Sequence, residues 1–172
     1  MMSQRLQISL TASVLSFLLV AFSYSDSHDT IDLRQLEGDW EGSGEFLVPI
    51  TDISMSVEGR ARFDFDTAAG HLRTALIGEK YFFSYSDSGH LKLDEQTDSI
   101  SWEVWDNFGK HSRYFGIVSG NKITGDRYKK NKYYQVMIEL VTPDSIDFKL
   151  TVTEPDGDRY DRATFNLWRV KE

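Results

Sequence analysis

The stretch Ile53-Ser-Met-Ser-Val-Glu-Gly-Arg-Ala-Arg-Phe-Asp-Phe65 alternates without a break between apolar or small residues and polar residues. In a strand every second side chain points to the same face, whereas a helix would distribute this set around its circumference. The stretch therefore predicts a half-buried β-strand whose apolar and small residues point inward. Its outward residues include Arg60 and Arg62, which we expect to lie in water.

The same alternation recurs in three later segments, Ile100–Val104, Tyr134–Leu140 and Ile146–Val152. Residues that favour tight reversals separate the apolar runs, as a meander of sequential strands requires. These turns are Ser86-Asp-Ser-Gly, Ser119-Gly-Asn-Lys, Thr142-Pro-Asp-Ser and Pro155-Asp-Gly-Asp. We expect strands near 36–48, 52–66, 71–78, 80–86, 90–95, 98–106, 110–118, 121–128, 132–141, 145–153 and 160–170. A helical period is absent from the internal segments, and a short turn of helix could lie only between Asp26 and Leu36.

An open meander of this length would leave two long hydrophobic edges, and such edges promote aggregation. Pairing of the last strand with the first removes both edges. The sequence therefore predicts an all-β fold, an antiparallel up-and-down β-barrel of about 10–11 strands. A β-sandwich is the alternative. A barrel wider than eight strands is too wide for side chains alone to fill, so we expect an interior cavity.

The N-terminal segment has the pattern of a secretory signal peptide. Arg5 precedes an apolar run from Ile8 to Phe22, and small residues such as Ser23 and Ser25 follow it. The run is about 15 residues long and a membrane-spanning helix needs about 20, so a retained anchor is the weaker alternative. We expect a signal peptide at 1–25, a polar lead-in at 26–34 and one barrel domain at 35–172. The mature protein would then be secreted or periplasmic, without stable membrane insertion.

Composition excludes several classes of function. The net charge of −8 repels nucleic acid phosphates, and no basic face with interleaved aromatic residues offsets it, so we expect no nucleic acid partner. The absence of cysteine excludes disulfides, thiol catalysis, thiolate metal sites and the lipid-modified cysteine of a bacterial lipoprotein. The domain must therefore be stabilised by its core alone.

The two ends of the predicted barrel read Leu36-Glu-Gly-Asp-Trp-Glu-Gly-Ser-Gly44 and Leu167-Trp-Arg-Val-Lys171. This combination resembles the calycin superfamily, which includes lipocalins, fatty-acid-binding proteins, nitrobindin-like haem barrels and uncharacterised lipocalin-like families. The Gly-x-Trp-x-Gly-x-Gly form is most similar to the nitrobindin-like branch. In such a barrel Trp40 would cover one end and Arg169 would stack on its indole, while glycines would let the first strand bend or admit a neighbour. The residues expected to close the barrel are Gly38, Trp40, Gly42, Gly44 and Arg169.

The haem ligand of the nitrobindin-like branch does not carry over to this sequence. In that branch a histidine near the start of the closing strand binds the iron, but here the strand reads Ala163-Thr-Phe-Asn-Leu-Trp-Arg169. We therefore predict no cofactor. His71, His90 and His111 are expected to be exposed or hydrogen-bonded.

We find no metal site and no catalytic residues in the sequence. Histidine pairs with zinc-ligand spacing do not occur, and the acidic run from Glu154 to Asp161 lacks the order of a calcium loop. The nucleophile-elbow motif Gly-x-Ser-x-Gly is also missing, since Gly42-Ser-Gly44 has a different spacing. An enzyme on this scaffold is the least favoured of three hypotheses.

The leading hypothesis is a barrel that binds a small apolar or amphipathic ligand in its interior and has no catalytic role. Gly59 and Ala61 would leave room for the ligand beside aromatic residues of other strands, with little charge nearby. The predicted ligand-binding residues are Phe63, Phe83, Trp102, Phe115, Tyr134 and Phe148. The alternative is an accessory or interaction protein of the cell envelope, in which the same rings fill the barrel as core.

Overall fold

The computed structural model describes residues 30–48, 53–81 and 83–171, so the predicted signal peptide lies outside the described residues. These ranges contain one 3₁₀ helix, Leu33–Leu36, and ten strands. The strands are β1 Gly38–Leu47, β2 Ser54–Asp66, β3 His71–Lys80, β4 Phe83–Asp94, β5 Ser99–Asp106, β6 His111–Ser119, β7 Lys122–Lys129, β8 Lys132–Thr142, β9 Ser145–Thr153 and β10 Arg159–Arg169. No helix in the described ranges is long and apolar enough to cross a membrane.

The ten strands form a closed antiparallel barrel. Each strand pairs with the next along the chain, and β1 pairs with β10 from Trp40 opposite Arg169 to Phe46 opposite Ala163. The predicted up-and-down barrel is confirmed, and the sheet does not divide into the two layers of a sandwich. Closure leaves neither the first nor the last strand as a free edge.

The ten strands agree with the predicted 10–11, but β4 is one strand where two, near 80–86 and 90–95, were predicted. The segment Ser86–Gly89, expected to be a turn, lies within β4 and pairs with both β3 and β5. A side chain at Gly89 would place its Cβ 2.9 Å from Nε1 of Trp102 and 3.0 Å from Oγ1 of Thr74. This glycine therefore allows close packing inside a strand and does not mark a reversal.

The predicted register of β2 is confirmed over most of its length. Val57, Ala61 and Phe63 are buried, while Arg60 and Arg62 are exposed on the outer face. Ile53 is 58 % exposed, so its predicted inward position is wrong. Ile53 precedes the first residue of β2, so its side chain lies outside the alternation of the strand, although its carbonyl oxygen accepts a hydrogen bond from the Val48 amide at 3.0 Å.

The 3₁₀ helix closes one end of the barrel, which we call the capped end. Asp32 caps the helix by accepting a hydrogen bond from the Arg34 amide, and Leu33 and Leu36 on the helix are buried. Beside them Trp40 is 1 % exposed, and its Nε1 donates to the Leu36 carbonyl oxygen at 2.8 Å. The lead-in is thus more than a polar connector, because its apolar residues form part of the core.

Arg169 joins the last strand to the capped end. Its guanidinium carbon lies 4.2 Å from the centroid of the Trp40 ring. The same group donates hydrogen bonds to the carbonyl oxygens of Gln35, at 2.7 Å, and of Glu37. Gly38 has a φ of +128°, and a Cβ there would lie 2.9 Å from Nη1 of Arg169. A glycine at this position gives the guanidinium access to the helix carbonyls.

We expect Arg169→Ala to lower the free energy of unfolding by about 2–3 kcal/mol, because the helix carbonyls lose charged donors and Trp40 loses its cover. Urea denaturation at neutral pH measures this. Arg62→Ala is the control, since Arg62 is exposed and forms only a long 3.8 Å ion pair with Asp39. Equal, small effects of the two changes would show that Arg169 does not hold the capped end.

Candidate functional site

The middle of the barrel is nearly filled. A cavity of about 20 Å³ lies there, which is room for about one water molecule. Three of the predicted ligand-binding residues, Phe63, Trp102 and Phe148, line this cavity together with Asp87. The structure therefore brings these three rings together, but around a space much smaller than a ligand pocket.

Phe165 of β10 occupies much of the space that the glycines were expected to leave. This residue is 2 % exposed. A Cβ at Gly59 would lie 2.5 Å from its ring, a Cβ at Gly44 2.6 Å, and a Cβ at Gly78 3.3 Å. The ring thus lies across the glycines of β1, β2 and β3. The expectation that Gly59 leaves room for a ligand is wrong, because Phe165 takes that room.

The other predicted ligand-binding residues do not line the cavity. Phe115 is 58 % exposed, so its predicted inward position is wrong, and its neighbour Tyr114 is the buried ring of β6. The alternation of β6 is shifted by one residue from the prediction, because Tyr114 pairs with the inward Trp102 of β5. Tyr134 lies further along the barrel, and the side chain of Phe83 lies outside the described residues.

A polar cluster lies inside the barrel near the end opposite the capped end, which we call the far end. Arg127 of β7 is its central residue. The guanidinium carbon is 4.5 Å from the ring centroid of Tyr134 and 5.1 Å from that of Tyr114. Its Nη1 donates to the Ser112 hydroxyl, while its Nε is buried without a hydrogen-bond partner. An unsatisfied charged donor in the interior is costly, so it indicates an unmet partner.

Asp87 and Tyr85 of β4 lie on another side of the same interior. The Tyr85 hydroxyl donates to Oδ2 of Asp87 at 3.2 Å. Burial raises the pKa of the Asp87 carboxyl to about 7, and the Asp106 carboxylate adds to this against the opposing hydrogen bond from Tyr85. Burial likewise raises the pKa of Tyr85. Asp87 can therefore exchange a proton near neutral pH, inside the barrel. We refer to Tyr85, Asp87, Tyr114, Arg127 and Tyr134 as the far-end cluster.

Arg162 of β10 is a second cation whose charge acts on a residue of the far-end cluster. The pairing of β9 with β10 is irregular between Asp161 and Ala163, and Arg162 lies in this bulge. Burial raises the pKa of the Tyr114 hydroxyl, and the nearby charges of Arg127 and Arg162 act in the opposite direction. The Tyr114 hydroxyl thus lies in the electrostatic field of two cations, Arg127 and Arg162, and of the Asp87 carboxyl.

Charged and aromatic contacts surround the cluster at the rim of the far end. The Glu154 carboxylate pairs with the Lys132 ammonium at 2.6 Å and accepts a hydrogen bond from the Tyr160 hydroxyl at 3.0 Å. On another side the ring of Tyr85 packs between those of Phe46 and Phe108, with centroid distances of 5.3 and 6.3 Å. Phe108 is 63 % exposed, so the rim offers an aromatic surface to solvent beside the polar cluster.

A wider depression of about 700 Å³ lies near the ends of β2, β3 and β4. Its lining includes Glu58, Glu79 and Lys80. Glu79 already pairs with Arg60 at 2.5 Å, and both side chains of this pair are about half exposed. This depression is broad and charged, and it lacks the buried, unpaired polar atom that distinguishes the far-end cluster.

Three histidines form one aromatic row with Trp105. The ring centroids are 4.6 Å apart for His71 and His90, 5.6 Å for His90 and Trp105, and 4.9 Å for Trp105 and His111. His90, Trp105 and His111 are exposed, and His111 lies 3.6 Å from Glu103. His71 is 9 % exposed, and its Nε2 is buried without a hydrogen-bond partner. Among the described residues, no group of three histidine or acidic side chains is arranged to hold a metal ion.

Tyr134 was among the predicted ligand-binding residues, but the sequence did not identify the other four residues of the far-end cluster, for reasons that can be named. Tyr85 and Asp87 were assigned to the end of a strand and a turn. Arg127 was not assigned a face, although it continues the alternation of Ile123 and Gly125 on β7, both of which are buried. A charged residue on the inward parity of a strand is the signal that could have identified the site.

Comparison with known proteins supports the fold. No protein-family model matches the sequence, and no curated protein sequence matches it at a significant level. The solved structures with a similar architecture include the following two. The crystal structure of Rv2717c from M. tuberculosis aligns with a TM-score of 0.61 at 15 % sequence identity, over 81 % of this chain and 95 % of that chain. A protein of unknown function from the DUF3598 family of Nostoc punctiforme PCC 73102 aligns with a TM-score of 0.57 at 10 % identity, over 82 % of this chain.

The present chain spans 50 % of the length of the DUF3598 protein. At these levels of identity, both likenesses show the closed barrel alone.

Proposed function

We propose that the protein is a non-catalytic binding barrel for a small amphipathic molecule, which it receives at the far end. The observation that carries this proposal is the position of Arg127 inside the barrel, held between two tyrosine rings with its Nε buried and unpaired. A few polar groups among aromatic side chains are typical of a small-molecule site. The ligand would lie nearer the far end than the sequence predicted, because side chains fill the middle of the barrel.

The sequence supports two further parts of the proposal, the type of barrel and the export of the protein. The Gly-x-Trp opening and the Arg169 contact support a calycin-like barrel, a fold whose members often hold small ligands. The segment at 1–25 supports export to the periplasm or the medium. N-terminal sequencing of the protein from those fractions tests export, and a start near Asp26 is the expected result.

A filled barrel that acts as an envelope accessory protein is the second candidate. The cavity of about 20 Å³ favours it, since a barrel with so little free space holds no ligand in its middle. The two candidates differ in one observable property, which is whether a small molecule enters the interior.

Binding is tested with laurate, haem and an anilinonaphthalene dye, using tryptophan fluorescence of the parent protein and of Trp102→Phe. Trp102 is buried beside the cavity, and its ring centroid lies 6.2 Å from that of Tyr114 in the far-end cluster. Trp40 lies at the capped end, while Trp105 and Trp168 are exposed. We expect at least one probe to change the emission of the parent and to have a clearly smaller effect on Trp102→Phe.

Solvent extraction of the purified protein followed by mass spectrometry complements the fluorescence experiment, because it needs no assumption about the ligand. If nothing is extracted and no probe alters the emission or the melting temperature of the parent, the filled-barrel candidate replaces the binding barrel.

A further inference from the structure

We infer that the ligand of the far end carries a carboxylate, and that the carboxylate binds to the free edge of the Arg127 guanidinium. This inference rests on the proposed binding function and adds the chemical class of the ligand. It also differs from the prediction made from the sequence, which was an apolar interior with little charge.

One side of the guanidinium lacks a hydrogen-bond partner. Tyr134 and Tyr114 lie near the guanidinium carbon at 4.5 and 5.1 Å, and Nη1 donates to Ser112. The remaining side consists of Nε and Nη2, and within the described part of the chain neither of these atoms donates a hydrogen bond. Two parallel N–H groups of this kind match the two oxygens of a carboxylate.

The charges near Arg127 do not supply that partner. In residues 30–48, 53–81 and 83–171, none of the ion pairs includes Arg127. Asp87 hydrogen-bonds to Tyr85, and Asp126 accepts a hydrogen bond from Gln135. The charges that act on the Tyr114 hydroxyl are the cations Arg127 and Arg162 and the Asp87 carboxyl, whose pKa burial raises to about 7, so its negative charge is reduced near neutral pH. An anion from solution would therefore be attracted to this place.

The residues around the far-end cluster also restrict the size and shape of the ligand. The cavity toward the capped end has a volume of about 20 Å³, so a long chain could not enter it without displacing side chains. The rim carries the rings of Tyr85 and Phe108. A short aromatic carboxylic acid, with its ring toward the rim and its carboxylate toward Arg127, fits these limits.

Isothermal titration calorimetry with 4-phenylbutanoate and 4-phenylbutanamide tests the inference, because the two probes differ only in the head group. We expect the parent protein to bind the acid about tenfold more tightly than the amide, as a charge-assisted bidentate contact would give. Arg127→Met should bind the two probes equally. Arg127→Lys, which keeps the charge but loses the paired donors, should keep part of the preference.

Arg62→Met is the matched control, since Arg62 lies on the outer face and is exposed. It should preserve the full preference for the acid. Equal binding of acid and amide by the parent would overturn the carboxylate inference while leaving the binding barrel intact. A preference that persists in Arg127→Met would overturn the role of Arg127. If the parent binds neither these probes nor laurate, haem or the dye, the proposed function itself fails.

Discussion

Replacing Val57 with aspartate is expected to destabilise the barrel by about 3–5 kcal/mol. Val57 is buried on the inner face of β2, so the change removes a packed side chain and places a carboxylate in the core. The effect should appear as a large decrease in the urea midpoint and in the melting temperature. A loss of this size is typical of an unpaired charge in a protein interior.

Ser56→Asp is the matched control, because it introduces the same side chain one position away. Ser56 is exposed, so the new carboxylate stays in water. Glu45 is nearby and adds some repulsion, and we expect a loss below about 1 kcal/mol. Losses of similar size at the two positions would contradict the register of β2, and with it the inward face of the barrel.

Asp87→Asn is expected to stabilise the protein at pH 7 and above by an amount on the order of 3 kcal/mol, and to have little effect at pH 4. Burial raises the pKa of Asp87 from 3.8 to about 7 in the folded protein. Between these values the folded state retains a proton that the unfolded state releases. The stability of the parent should therefore decrease as the pH rises from about 4 to 7, and asparagine should remove this decrease.

Urea denaturation of both proteins across that pH range gives the measurement. Asparagine keeps an oxygen that can accept the hydrogen bond from Tyr85, so the change removes the charge and little else. Asp64→Asn, at an exposed position on β2, is the control and should not alter the slope. A parent protein whose stability does not depend on Asp87 between pH 4 and 7 would show that this carboxyl is well solvated.

The fold was largely predictable because alternation is a local property of the sequence. The inward face of β2 followed from its residues alone, and closure followed from the need to pair two edges. The error in β4 arose because Ser86-Asp-Ser-Gly has the composition of a turn. Only the tertiary contact of Gly89 with Trp102 shows that the glycine is needed for packing.

The candidate site was less predictable because it depends on contacts between distant strands. Phe165 fills the space beside Gly44 and Gly59, and nothing near those glycines in the sequence indicates which ring will occupy it. The choice between Tyr114 and Phe115 as the inward ring of β6 depends on a one-residue register, which two adjacent aromatic residues leave open. The inward position of Arg127 can be predicted from the alternation of β7. The lack of a hydrogen-bond partner for its Nε is visible only in the structure.

The pairing of β1 with β10 also governs how this chain can fold during synthesis. Trp40 and Arg169 are paired across the closing seam, so the cylinder cannot close until β10 has left the ribosome. Until then β1 and the most recently made strand expose unpaired backbone, and contacts between such distant residues form slowly. A nascent chain of this protein would therefore depend on protection from self-association, and a product truncated before Arg159 would keep both exposed edges permanently.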